Sequence, residues 1–95
     1  MQARTVRWLE QALSDMHGIA QHLAQHDADA AQKVAQTIWN AGQSLVHMPA
    51  RGRAGRVPHT RELVLTEFPY FLAYRIKKTE VQILRILHTS RRYPH

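Results

Sequence analysis

The sequence of 95 residues has no cysteine, only four glycines and four prolines. Without cysteine there are no disulfide bonds, no thiolate metal sites and no cysteine nucleophiles, which suits a reducing compartment. No apolar run approaches the roughly 18 residues that a membrane-spanning helix needs. The first residues show no signal-type apolar stretch. We therefore expect one domain, spanning residues 1–95, in the cytoplasm.

Charge is distributed unevenly between the two halves of the chain. Residues 1–50 carry three basic and four acidic residues, for a net charge of −1. Residues 51–95 carry ten basic and three acidic residues, for a net charge of +7. A domain with one basic half predicts an anionic partner, either a nucleic acid or an acidic protein segment. The alternative is that some of these cations serve only solubility.

Apolar residues in the first half recur at helical spacing. They predict one helix over residues 9–25 and a second over residues 28–46. Asp27 is a good N-cap for the second helix, and Pro49 ends it. Two amphipathic helices with a short link predict a helical hairpin. The short stretch before them, residues 5–8, predicts an edge strand.

The pattern changes to a period of two in the second half. Glycine, proline and arginine in residues 49–59 predict a flexible basic loop. Alternating residues 62–66, the branched and aromatic residues 70–76, and residues 81–87 predict three strands. The order is β-α-α-β-β-β, an α+β fold in which a helical hairpin packs on an antiparallel sheet.

Short motifs follow one another along nearly the whole chain. They are Trp8 with Ala12-Leu13 and Ile19, Asp27 with Ala30-Ala31, Pro49 with Gly52-Arg53, Thr60-Arg61-Glu62-Leu63, Pro69 to Ile76, Ile83 to His88, and Arg91-Arg92-Tyr93-Pro94. This ordered set resembles the RelE/ParE superfamily of toxins from bacterial type II toxin–antitoxin systems. The resemblance implies the same fold, growth inhibition without a cofactor, and a cognate antitoxin whose acidic tail would suit the basic half.

The resemblance to RelE implies a ribonuclease that enters the ribosome and cuts mRNA without metal. It assigns the catalytic residues as His88, Arg91 and Tyr93. Histidine acts as base or acid near neutral pH, arginine contacts phosphate, and tyrosine stacks or donates a proton. The arginines that would hold the RNA are Arg51, Arg53, Arg56, Arg61, Arg75, Arg85 and Arg92.

Phe71 departs from this pattern, because many RelE-like members carry a catalytic arginine at its position. Phe71 and Arg75 share a face of the strand, but Arg75 lies four residues on. The departure indicates a different mechanism or an inactive copy. It is harmless to the alternative, a ParE-type toxin that inhibits DNA gyrase by binding. The sequence favours RNA cleavage only slightly over gyrase inhibition.

Two other functions have weaker support. His22 and His26 share a helix face, but no third ligand follows at a suitable spacing, so no metal site is predicted. A small basic nucleic-acid-binding domain fits the charge. However, the helix over 28–46 carries only Lys33, which disfavours a DNA-recognition helix.

Some of these residues have plain structural interpretations as well. Arg85 is as well suited to a salt bridge, for example with Glu62 or Glu67, as to RNA contact. Trp8 and Trp39 are expected to pack between the helical hairpin and the sheet.

Overall fold

The computed structural model describes residues 4–94. Its elements are β1 (Thr5–Trp8), α1 (Glu10–Ala24), α2 (Ala28–Ser44), a short 3₁₀ helix (Pro49–Arg51), β2 (Arg53–Ala54), β3 (Arg61–Val64), β4 (Tyr70–Ile76) and β5 (Glu80–His88). The predicted element order and the helical hairpin are confirmed. In this part of the chain no helix has the length and apolar character needed to cross a membrane.

The five strands form one sheet in the order β1-β5-β4-β3-β2. The pairs β3–β4 and β4–β5 are antiparallel, as predicted, and β2, a strand that was not predicted, pairs antiparallel with β3. β1 instead runs parallel to β5, with Thr5 opposite Glu80 and Trp8 opposite Ile83. The sheet is therefore mixed, not wholly antiparallel, because the first strand pairs with the last one across the helical hairpin.

Both helices begin and end close to the predicted positions. The Asp27 carboxylate caps α2, since it accepts hydrogen bonds from the backbone N–H groups of Asp29 (3.0 Å) and Ala30 (3.1 Å). The buried residues of α2 are Ala31, Val34, Ile38 and Gly42. This spacing turns one helix stripe toward the sheet.

The main core lies between the helices and one face of the sheet. Val34 and Ile38 of α2 join a cluster with Leu72, Tyr74 and Ile83 from the strands, and all five are at most 2% exposed. We call this face of the sheet the helix-covered face.

The two tryptophans stack on each other at one end of this core. Their ring centroids are 5.2 Å apart and the planes differ by 9°. Trp8 packs against the core cluster, whereas Trp39 keeps 43% of its surface exposed. Gly42 lies under Trp8, where a Cβ atom would overlap the indole ring. The expected packing between hairpin and sheet therefore holds for Trp8 and only in part for Trp39.

The segment 49–59 contains regular structure, unlike the loop that its composition predicts. The Tyr74 hydroxyl donates to the Pro49 carbonyl (2.7 Å) and accepts from the Gly52 N–H (2.8 Å). Burial raises the pKa of the Tyr74 phenol above its ordinary value. A Cβ at Gly52 would lie 2.7 Å from that hydroxyl, so the close approach requires glycine. These bonds fix the segment beside β4 and let β2 pair with β3.

Candidate functional site

Strand β4 sends alternate side chains to opposite faces of the sheet. Tyr70, Leu72 and Tyr74 face the helices, whereas Phe71 and Ala73 belong to a second cluster on the other side. We call that other side the open face. Its side chains, including two from the adjoining loop and tail, include those of Arg7, Arg53, Arg56, Glu62, Val64, Phe71, Ala73, Arg75, Glu80, Gln82, Leu84, Leu87 and Tyr93.

Phe71 is the centre of a small apolar cluster on the open face. It is fully buried beside Ala73 and Leu87. The Tyr93 ring contacts it at a centroid distance of 6.0 Å, and the Arg56 guanidinium carbon lies 5.1 Å from its ring centroid. The residue at the position of the RelE-like arginine is thus an anchor for two side chains that fold over it.

Glu62 is a buried carboxylate that holds two arginines on the open face. Its side chain is 0% exposed and forms ion pairs with Arg53 (3.3 Å) and Arg56 (3.5 Å). It also accepts the backbone N–H of Arg56 at 3.1 Å. The two arginine side chains keep 59% and 40% of their surface exposed. Sequence reasoning missed this role, although three arginines shortly before a strand glutamate were a usable signal.

A second polar network extends the open face toward β1. The Arg75 Nε donates to the Gln82 Oε1 at 2.6 Å, and the Gln82 amide donates to Glu80. Glu80 in turn forms an ion pair with Arg7 at 3.7 Å. Arg75 shares the face of Phe71, as the alternation predicts.

Two more of the predicted nucleic-acid contacts are Arg51, the last residue of the 3₁₀ helix, and Arg61, the first residue of β3. Arg61 donates to the backbone carbonyls of Gly52 (2.6 Å) and Ala50 (3.3 Å). Arg51 donates to the Ser44 hydroxyl at 3.0 Å. Both side chains therefore brace the chain around β2.

Arg85 forms the salt bridge that links β5 to α1. Its Nε and Nη2 donate to the two carboxylate oxygens of Asp15 at 2.8 and 3.2 Å. Asp15 also accepts the Ile86 N–H at 2.9 Å. This hydrogen bonding raises the pKa of the Arg85 guanidinium. The expectation of a partner in Glu62 or Glu67 is wrong, because the sheet bulges near Ala73 and Tyr74, opposite Arg85.

His88 packs on the helix-covered side of the sheet. Its ring meets Tyr70 edge-to-face at a centroid distance of 5.5 Å. Its Nδ1 accepts the Ser90 N–H at 3.1 Å and lies 2.7 Å from the Ser90 hydroxyl. A backbone N–H can only donate, so Nδ1 is the acceptor in the bond from Ser90.

The three predicted catalytic residues do not meet at one point. Arg91 lines the same shallow groove as His88, between α1 and the end of β5. Tyr93 lies on the open face against Phe71. Arg92 lies between them in the exposed tail. Because Tyr70 and Phe71 are neighbours on β4, the His88 and Tyr93 rings contact opposite faces of the sheet.

His22 and His26 approach each other on α1, with ring centroids 5.9 Å apart. Across residues 4–94 the structure contains no group of three or more side chains that could hold a metal ion.

Comparisons with known proteins agree with this architecture. The sequence profile described as the ParE toxin of the type II toxin–antitoxin system, parDE, matches residues 6–93. A protein named toxin Y4kP from Sinorhizobium fredii is 38% identical over 94 residues, which cover 99% of this chain and 97% of that one. Toxin RelE2 from Caulobacter vibrioides is 36% identical over 86 residues, which cover 90% and 96%.

Two solved structures share the fold. The chromosomal ParDE system from P. aeruginosa gives a TM-score of 0.84 at 29% identity, covering 90% of this chain and 96% of that one. The RelBE2 toxin–antitoxin complex from Mycobacterium tuberculosis gives a TM-score of 0.68 at 26% identity, covering 93% of each.

The fold and these matches define a type II toxin of the RelE/ParE superfamily, as the motifs predicted. The chain belongs to the ParE toxin family.

Proposed function

We propose that this chain is a ParE-type toxin that stops growth by binding DNA gyrase, and that it does not cut mRNA. The observation that carries the proposal is the division of the RelE-like residues between the two faces of the sheet. His88 contacts Tyr70 on one side, and Tyr93 contacts Phe71 on the other. This choice reverses the slight preference for RNA cleavage that the sequence alone suggested.

Metal-free RNA cleavage needs a base, an acid and cations that all reach one phosphate group. Phe71 stands where many RelE-like members carry a catalytic arginine, and its ring lies under the Arg56 guanidinium. One ring nitrogen of His88, Nδ1, is already engaged by the Ser90 N–H, and the ring lies across the sheet from Tyr93. Binding to a protein target requires none of these groups to converge.

The comparisons support the same choice. The matching family is that of ParE, and the ParDE structure superposes more closely than the RelBE2 structure, with TM-scores of 0.84 and 0.68. Both matched systems pair a toxin with an antitoxin, which supports a cognate antitoxin for this chain. Co-expression of that antitoxin is expected to restore growth and to form an isolable complex.

The test is a supercoiling assay with purified gyrase, run beside primer extension on mRNA from cells that express the toxin alone. We expect inhibited supercoiling and intact mRNA. The His88→Ala variant is expected to inhibit gyrase as strongly as the parent. New mRNA 5′ ends within translated frames, absent for His88→Ala, would instead establish a ribosome-dependent ribonuclease and refute the proposal.

A further inference from the structure

We propose that the open face binds the phosphate backbone of duplex DNA, so that the toxin contacts both gyrase and the DNA that gyrase holds. The second clause rests on the proposed function, because it names gyrase-bound DNA as a further partner. The first clause stands on the surface itself and is tested without gyrase.

The open face and the two helices differ in the sign of their charge. The open face and its rim carry five cations, from Arg7, Arg53, Arg56, Arg75 and Lys77, against the two carboxylates of Glu62 and Glu80. Residues 10–44, which form the two helices on the other side, carry one lysine against four acidic residues. A polyanion is therefore attracted to the open face and repelled from the helices.

Glu62 and Glu80 pair with arginines whose side chains remain partly exposed, so some guanidinium N–H donors stay available. Glu62 is fully buried, whereas Arg53 and Arg56 keep 59% and 40% of their side chains exposed. Arg7 keeps 65% exposed beside Glu80. A guanidinium has five N–H donors, and an ion pair uses one or two of them. The remaining donors match phosphate oxygens, and the fixed side chains lose less entropy on binding.

The open face offers little aromatic surface on which the bases of a single-stranded nucleic acid could stack. Proteins that bind single strands stack the bases on exposed aromatic rings. Among the described residues of this face, the aromatic rings are Phe71, which is fully buried, and Tyr93, which packs on it. Direct sequence reading in the major groove requires a helix or a two-stranded ribbon that enters it, and the open face presents neither. These features favour backbone contacts to a duplex without sequence preference.

The test measures fluorescence anisotropy of a labelled duplex of about 20 base pairs and arbitrary sequence, titrated with the whole purified chain at several salt concentrations. The double variant Arg7→Gln/Lys77→Gln removes two cations from the open face and its rim. The matched control Lys33→Glu changes the net charge by the same amount on the exposed surface of α2. Neither variant alters the Glu62 pairs.

We expect the parent chain to bind the duplex more tightly at low salt than at high salt, and more tightly than the corresponding single strand. The double variant should weaken binding roughly tenfold and lower the salt slope by about two, while Lys33→Glu stays within about twofold. Absence of duplex binding in low salt, equal losses in both variants, or a preference for the single strand would each overturn the inference.

Thermal midpoints show whether the variants fold. If the double variant melts early, Lys77→Gln against Lys33→Gln replaces the comparison, with about half the expected change in slope. A parallel supercoiling assay separates the two proposals. Inhibited supercoiling without duplex binding refutes this inference alone. Duplex binding without inhibition refutes the gyrase proposal, and with it the second clause, but leaves the first clause standing.

Discussion

The two faces of the sheet have different surroundings, although the same strands contribute side chains to both. On the helix-covered face, Tyr70, Leu72 and Tyr74 of β4 enter a core that both helices cover. On the open face, Phe71 and Ala73 form a small cluster that Arg56 and Tyr93 cover instead. One face therefore holds the larger apolar core, and the other holds arginines that are paired with carboxylates.

The difference shows how arginine side chains in the basic half of the chain are held in place by hydrogen bonds and ion pairs. Glu62 buries its carboxylate so that Arg53 and Arg56 hold defined positions. Gln82 and Glu80 do the same for Arg75 and Arg7. The variants below test this comparison, from the largest expected effect to the smallest.

The helix-covered face should carry most of the stability. Ile38 lies in the main core and is 1% exposed, so Ile38→Ala removes buried methyl groups and leaves a cavity. We expect the free energy of unfolding to fall by about 3 kcal/mol, measured by urea denaturation. Leu13→Ala on α1 is the control, because Leu13 is 49% exposed and should lose less than about 1 kcal/mol. Equal losses would contradict the division between core and surface.

Tyr74 connects the helix-covered face to the segment that carries Arg53. Tyr74→Phe keeps the ring but leaves the buried Gly52 N–H without its acceptor. We expect a loss of about 2 kcal/mol in the free energy of unfolding. Tyr70→Phe is the control, since the partly buried Tyr70 makes a ring contact with His88. A loss no greater than that of the control would show that the hydroxyl does not anchor the segment.

Tyr74 also predicts a dependence on pH. Burial raises the pKa of its phenol in the folded state, so the folded chain keeps the proton longer than the unfolded chain. This contribution is complete below pH about 10 and is lost as the pH rises further. Thermal midpoints measured from pH 8 to 11 should therefore fall more steeply for the parent than for Tyr74→Phe. Parallel curves would contradict the assigned shift.

Glu62 tests the open face directly. Glu62→Gln keeps the shape and an acceptor for the Arg56 N–H but removes both ion pairs. We expect a loss of about 1 kcal/mol, because the two arginines are partly exposed and can turn toward water. Glu67→Gln at an exposed position should change the stability by less than about 0.5 kcal/mol. High salt should narrow the difference between parent and Glu62→Gln, and a salt-independent difference would argue against an ionic cause.

The helix-covered face was largely predictable from the sequence. Helical spacing and the Asp27 cap located α1 and α2, and alternation located β4. These signals are local, since they depend on residues within a few turns or along one strand. The pairing of β1 with β5 was not predictable in this way, because it joins the two ends of the described chain.

The open face was less predictable, because tertiary contacts decide it. Alternation predicts that Glu62 and its neighbour Leu63 point to opposite faces of the sheet. With Leu63 in the core, the Glu62 carboxylate would normally be exposed. It is buried because Arg53 and Arg56 return over it from the preceding segment. Likewise, His88 and Tyr93 are five residues apart, and their spacing does not reveal that the tail places the Tyr93 ring across the sheet.

The smallest expected effect distinguishes the two candidate targets. His88 is exposed at the end of β5 and makes a ring contact with Tyr70, so His88→Ala should change the free energy of unfolding by less than about 0.5 kcal/mol. Under the gyrase proposal its growth arrest, measured by colony counts after induction, should equal that of the parent at equal expression. His17→Ala, an exposed histidine on α1, is the control. Relief of the arrest by His88→Ala alone, with unchanged stability, would mean that the imidazole acts in the toxic step. The groove between α1 and β5 would then be the working site of this toxin.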